Sequence, residues 1–184
     1  MNKIWYSVLF LFPNLLIAQG SLEFVSEKID FSINSELFSV NGIYVLANNS
    51  DREIHPRILF PFSPNSDSIE VRRVFNLSYG TDLQFEKVTD GITFRMTVMP
   101  RDTVYINVAY NQKTEKENIY ILESTQLWGK PLQRADFSLS FDNSVVIDSL
   151  SWQPCTMINN KYYWHYIDFF PGENFIVRIK NAVN

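Results

Sequence analysis

Alternation with period two runs through almost the whole chain, and it constrains the fold more than any other feature. Apolar residues at every second position line one side of an extended strand, so repeated alternation predicts sheets with one buried face. Ile29, Phe31 and Ile33 interleave with Lys28, Asp30 and Ser32. Ile92, Phe94, Met96 and Val98 share one parity, as do Val104, Ile106, Val108 and Tyr110, while Phe137, Leu139 and Phe141 alternate with Asp136, Ser138, Ser140 and Asp142. The run from Phe38 to Ala47 is apolar on both parities, the pattern of a central strand. Neither a strong helical period nor an internal repeat competes with this reading.

Turn residues divide the alternation into strands. Asp90-Gly91 predicts a hairpin through a type I′ turn between Gln84–Thr89 and Ile92–Val98. In Ile69–Tyr79 a bulge at Arg73 restores the phase between Val71 and Val74. Arg57–Phe62 carries Pro61 between Pro56 and Pro64, which predicts a sheet edge or a crossing between sheets; at an edge, the prolines protect it or a partner strand uses it. Asn111–Asn118 reads as a solvated loop, Ile119–Leu122 as a short strand and Glu123–Arg134 as irregular. Tyr162–Ile167 and Phe175–Lys180 read as a closing hairpin around Pro171-Gly172-Glu173-Asn174. About ten strands with close-spaced turns predict an all-β fold, an antiparallel β-sandwich of immunoglobulin-like architecture, without the Cys-Trp-Cys core of antibody domains.

Residues 1–20 follow a different logic. Lys3 precedes an apolar run from Ile4 to Ala18, interrupted by Pro13-Asn14 and closed by Ala18-Gln19-Gly20. The run is shorter than the roughly 20 residues a membrane span needs, and its charge and small residues are those of a secretory signal peptide. Cleavage after Ala18 or Gly20 leaves residues 21–184 as one exported β-sandwich domain with no transmembrane segment. The charge at pH 7 is −4, one unit more negative once Lys3 is removed. Arg72-Arg73 and Arg95 form no basic stripe, which argues against a nucleic-acid partner. The single cysteine, Cys155, permits no internal disulfide, so stability rests on a core supplied by 15 Phe, 9 Tyr and 4 Trp.

Candidate chemistry is sparse. Cys155 and His165 suggest a nucleophile pair, yet a thiolate needs a base in hydrogen-bond reach and a third group to orient it. Cys155 reads more simply as a packing residue at a loop end. His55 has only Glu53 and Asp51 nearby, and the loops Asn48-Asn49-Ser50-Asp51, Asn65-Ser66-Asp67 and Asp142-Asn143-Ser144 lack calcium-loop spacing, so no metal or cofactor is expected. Those loops have the composition tight turns select. Asn48-Asn49-Ser50 and Asn76-Leu77-Ser78 match a glycosylation sequon, which carries no meaning in a bacterial periplasm. The aromatic residues give a sharper candidate. Tyr162, Trp164 and Tyr166 share one face of a strand, with Trp128 and Trp152 in turn-rich segments nearby, a set that suits stacking on sugar rings if that face is exposed and core packing if it is buried.

Several motifs together carry a resemblance: Tyr44 with Asn48, Phe60-Pro61-Phe62, Tyr110, Tyr120-Ile121-Leu122, Trp128-Gly129-Lys130-Pro131-Leu132 and Phe169-Phe170-Pro171-Gly172-Glu173-Asn174. The chain resembles an uncharacterised family of exported bacterial β-sandwich proteins over most of its mature length. That resemblance implies export and an all-β fold, and no activity. The Ala-Gln signal end and the Asn-rich, Lys-containing composition look like Gram-negative chains of Bacteroidetes type. The expected function is a non-catalytic exported binding or envelope-assembly module in the periplasm or at the cell surface, with a glycan, peptide or envelope protein as partner. The alternative is a small secreted hydrolase built on Cys155 and His165 or on a carboxylate pair.

Overall fold

The computed structural model describes residues 21–63 and 69–181. The signal-peptide expectation for residues 1–20 and the turn at Asn65-Ser66-Asp67 lie outside the described residues. Within them the chain is mostly strand and forms no closed barrel. The strands are β1 Leu22–Ile33, β2 Leu37–Asn48, β3 Arg57–Pro61, β4 Ile69–Asn76, β5 Thr81–Asp82, β6 Phe85–Val88, β7 Gly91–Arg95, β8 Thr103–Lys113, β9 Glu117–Tyr120, β10 Leu132–Phe141, β11 Val145–Leu150, β12 Thr156–Ile158, β13 Lys161–Phe169 and β14 Phe175–Asn181, with a 3-10 helix at Glu123–Trp128. One sheet of eight strands has the order β12-β13-β10-β1-β2-β8-β4-β5, and two sheets of three strands have the orders β11-β14-β9 and β3-β7-β6.

The layering follows from which parity each strand buries. Glu27 pairs with Tyr44, Tyr44 with Ile106, Ile29 with Phe137, and Phe137 with Trp164, so these residues share one face of the large sheet. That face is covered by the small sheets. Phe31 and Phe137 stack on Phe175 of β14 at 4.8 and 6.4 Å between ring centres, and Tyr44 meets Phe60 of β3 at 5.3 Å. A single contiguous core runs through all three sheets, from Leu22 to Ile179. The all-β, sandwich-like expectation therefore holds at this level. The other face of the large sheet is polar, with Ser138 bonded to Asp30, Asn107 to Asn41 at 2.8 Å, and Asp136 to Arg134 and His165.

Several local expectations hold. β2 is central, flanked by β1 and β8. The bulge falls between Val71 and Arg73, and among the described residues β3 is an edge strand paired with β7 alone. Other expectations are corrected. The β1–β10 pair is parallel, so the large sheet is not wholly antiparallel. The β6–β7 hairpin forms, with Val88 opposite Gly91, but neither Thr89 nor Asp90 has the positive φ that a type I′ turn demands. Gly91 serves packing instead, because a Cβ there would run into the carbonyl of Phe60. Asn111–Lys113 extend β8 rather than a loop; both neighbours continue the ladder, and Asn111 and Gln112 are buried. The closing pair is not a hairpin. β13 bonds β10 and β12 in the large sheet, whereas β14 bonds β9 and β11 in a cover sheet, so residues 170–174 cross between layers.

Candidate functional site

The two cover sheets do not seal the face beneath them. β3 and β9 are each the edge of a cover sheet, and between them, over β1, β2 and β8, lies a cavity partly open to solvent. Its volume is about 70 Å³. Pro61 lies on the β3 edge of this seam, where a residue without an N–H discourages β3 from pairing onward.

At the base of the cavity sits Glu27. It is 3% exposed, its Oε1 is sealed from solvent, and that oxygen has no hydrogen-bond partner. Desolvation alone pushes its carboxyl up from 4.5 to about 8. Beside it the hydroxyls of Tyr44 and Tyr120 meet at 2.9 Å. Burial first pushes both phenols well above their ordinary range, followed by the Glu27 charge for Tyr44 and by the Tyr44 and then the Glu27 charge for Tyr120. Two hydroxyls joined by one hydrogen bond use one proton between them, so a second O–H remains to be placed. Tyr44 owes its position to Gly42, since a Cβ at that residue would occupy the space of the Tyr44 ring.

The aromatic walls come from distant segments. Phe24 approaches Trp128 at 5.7 Å and Tyr44 at 6.2 Å. Trp128 ends the 3-10 helix, which Gly129 terminates at φ 71. That helix is pinned to the 170–174 crossing: Asn174 Oδ1 accepts from the N–H groups of Leu122 and Glu123 at 2.8 and 3.0 Å, and Gln126 Nε2 donates to the Pro171 carbonyl at 2.6 Å. Leu46, Ile58, Phe60, Ile106 and Val108 extend the apolar lining, Ser124 and Thr125 add hydroxyl side chains, and among the described residues it contains no Lys, Arg or His.

The aromatic residues singled out in the sequence separate into three places. Trp128 lines the seam cavity. Trp164 is 2% exposed and packs edge-on against Phe175 at 5.2 Å, donating its indole N–H to the Trp152 carbonyl at 3.4 Å. It is core, so the Tyr162-Trp164-Tyr166 face is not an exposed stacking row. Tyr162 stacks on Phe141 at 5.4 Å. Trp152 and Tyr166 meet with Phe169, Phe170 and Pro171 in a shallow open cleft, where Trp152 Nε1 donates to Glu173 at 3.1 Å.

No hydrogen bond joins Cys155 to His165. Cys155 donates its backbone N–H to the Tyr163 carbonyl at 2.9 Å, and its sulfur influences Tyr166. His165 lies on the opposite parity, where its Nδ1 is 2.6 Å from Asp136 Oδ1. Burial opposes ionisation of Asp136, but Arg134 and His165 outweigh it and hold the carboxyl below its usual range. Cys155 is exposed, not the packed residue expected at a loop end. Among the described residues no three His, Cys, Asp or Glu side chains converge as metal ligands would.

Glu27, Tyr44 and Tyr120 are the site residues that sequence reasoning missed. A signal was present for Glu27: the alternation of Ile29, Phe31 and Ile33, extended back by two positions, places it on the buried face.

No protein-family model matches the chain, and no curated protein sequence does. Among solved structures, a Legionella pneumophila protein assigned to nutrient binding is similar, at 15% identity and a TM-score of 0.67 over 86% of this chain and 67% of that one. An M1 zinc metallopeptidase from Deinococcus radiodurans is similar at 11% identity and a TM-score of 0.51, over 86% of this chain and 42% of the enzyme. Leukotriene A4 hydrolase from Saccharomyces cerevisiae matches at 15% identity and a TM-score of 0.55, over 87% of this chain and 29% of the enzyme. The chain thus spans less than half of either enzyme, and at these identities the likeness is one of fold alone.

Proposed function

We propose that this chain is a binding module that holds a small organic ligand in the seam cavity and performs no chemistry of its own. The observation that carries the reading is Glu27, a buried carboxyl with an unpartnered oxygen at the base of a cavity lined mainly by aromatic and aliphatic side chains. Folding gains nothing from such a group, whose desolvation is uncompensated, and sites that recognise small molecules have this composition: apolar walls with a few convergent polar atoms. The nutrient-binding assignment of the Legionella neighbour is in keeping with it. Export belongs to the same proposal and rests on residues 1–20, with residues 21–184 as one module in the periplasm or at the surface of a Gram-negative cell. The immunoglobulin-like reading of the sandwich belongs here too, supported by its layered, largely antiparallel pairing.

A second reading is favoured by the cleft where Trp152, Tyr166 and the exposed Phe170 converge, which suits stacking on a glycan. One experiment separates the two. A small-molecule and oligosaccharide library is screened by methyl and indole NMR shifts of the protein. The first reading expects hits that move the methyls of Leu46, Ile58, Ile106 and Val108 together with the Trp128 indole. Oligosaccharide shifts confined to Trp152 would move the site to the cleft, and shifts at neither place would remove the binding reading.

A further inference from the structure

We infer that the ligand of the seam cavity is a small organic ammonium ion, its charged head against Glu27 and its carbon skeleton between the rings of Phe24, Tyr44, Phe60 and Trp128. This deepens the binding proposal above and rests on it. Three observations select a cation. Among the described residues the cavity carries one carboxyl and no basic side chain, so an anion meets no positive charge there. Its walls include the rings of Phe24, Tyr44, Phe60 and Trp128, with centres 5.3 to 6.2 Å apart, and aromatic rings attract positive charge most strongly when water is excluded. A purely apolar guest would leave the buried Glu27 carboxyl without a counter-charge, whereas an ammonium group supplies N–H donors and the opposing charge at once. The proton left over by the Tyr44–Tyr120 pair is offered to an acceptor oxygen of the same guest or to a water beside it.

Binding carries a proton balance. An ammonium ion entering beside a protonated Glu27 drives that carboxyl to ionise, and one proton leaves to solvent. The titratable groups facing Glu27 are Tyr44 on β2, Tyr120 on β9 and, farther off, Tyr110 on β8. All three are held above the ordinary phenol range by burial, so none of them competes for the change near neutral pH. Ala135 of β10, paired with Glu27 on the other side, contributes no charge.

The test titrates the protein with propylammonium, propanol and propionate, reading the lining methyls by NMR, and repeats the series on Glu27→Gln and Tyr120→Phe. Propylammonium is expected to bind at least tenfold more tightly than propanol, with propionate inert. Its affinity is expected to rise about tenfold per pH unit below pH 8 and to level off above it. Glu27→Gln is expected to weaken propylammonium at least tenfold while still unfolding cooperatively, and Tyr120→Phe to retain the preference for the cation. Equal binding of all three probes, or an unchanged Glu27→Gln variant, would overturn the ammonium assignment and leave the cavity a general ligand site. Silence of the lining methyls toward these probes, with library hits still moving them, would also overturn it. Silence toward both would remove the binding reading itself.

Discussion

Between pH 4.5 and pH 8 the folded protein is expected to lose roughly 5 kcal/mol of stability through Glu27 alone. The sign follows from proton counting. Burial raises the folded carboxyl above its unfolded value, so across this window the folded state holds a proton that the unfolded chain has released. Glu27 therefore leaves stability intact below pH 4.5 and withdraws it as pH rises toward 8, at up to about 1.4 kcal/mol per pH unit. Asp51, Asp136 and Asp142 work in the opposite sense. Their carboxyls are lowered, so what they contribute is lost only as pH falls through the acid range. Urea unfolding of the parent and of Glu27→Gln from pH 4.5 to 8 isolates the effect as a difference. The parent curve should fall relative to the variant, with the gap largest at the alkaline end. Parallel curves would mean that Glu27 ionises in the folded state as readily as in the unfolded chain.

Trp164→Ala is expected to destabilise the protein by about 3–5 kcal/mol, lowering the melting temperature on the order of 10 °C. The indole fills the space between Phe175 and Tyr162, and its N–H satisfies the Trp152 carbonyl, so truncation leaves both a cavity and an unpaired acceptor. A ligand platform would behave differently. Loss of an exposed stacking ring costs affinity and little stability, so a Trp164→Ala protein that melts with the parent would mean the ring is not core.

These two residues mark what could and could not be read from the sequence. Alternation located β1, β7, β8 and β10 because each buries one parity against a common core, the phase slip at Arg73 was legible for the same reason, and β2 was read from apolar residues on both parities. Trp164 was ambiguous because Tyr163, His165 and Ile167 make the other parity of β13 look apolar as well, yet that face is the solvent side of the large sheet. Glu27 went unseen for a related reason. Its carboxylate stands on the buried parity where an apolar residue would continue the pattern, so the apolar alternation begins only at Ile29.

Long-range pairing was out of reach altogether. Nothing local says that β13 and β14 belong to different layers, or that Tyr44 and Tyr120, 76 residues apart, share a hydrogen bond. The cavity exists because two edge strands from separate cover sheets meet over Glu27, and which strands form edges is a property of the whole topology. The Pro61 edge was legible and its neighbour was not. The Trp128-Gly129 motif likewise signalled a turn, while its anchoring by Asn174 and Pro171 required the crossing between layers to be known.

The most direct measurement is a carbon-13 NMR titration of the Glu27 side-chain carboxyl, assigned by comparison with Glu27→Gln, in the free protein and with saturating propylammonium. A midpoint near 8 in the free protein, moving down when the ammonium ion is added, is the expected result. A midpoint near 4.5, unmoved by the ion, would contradict the account, because Glu27 would then be an ordinary solvated carboxylate and the seam cavity would have no unpartnered acid to offer a ligand.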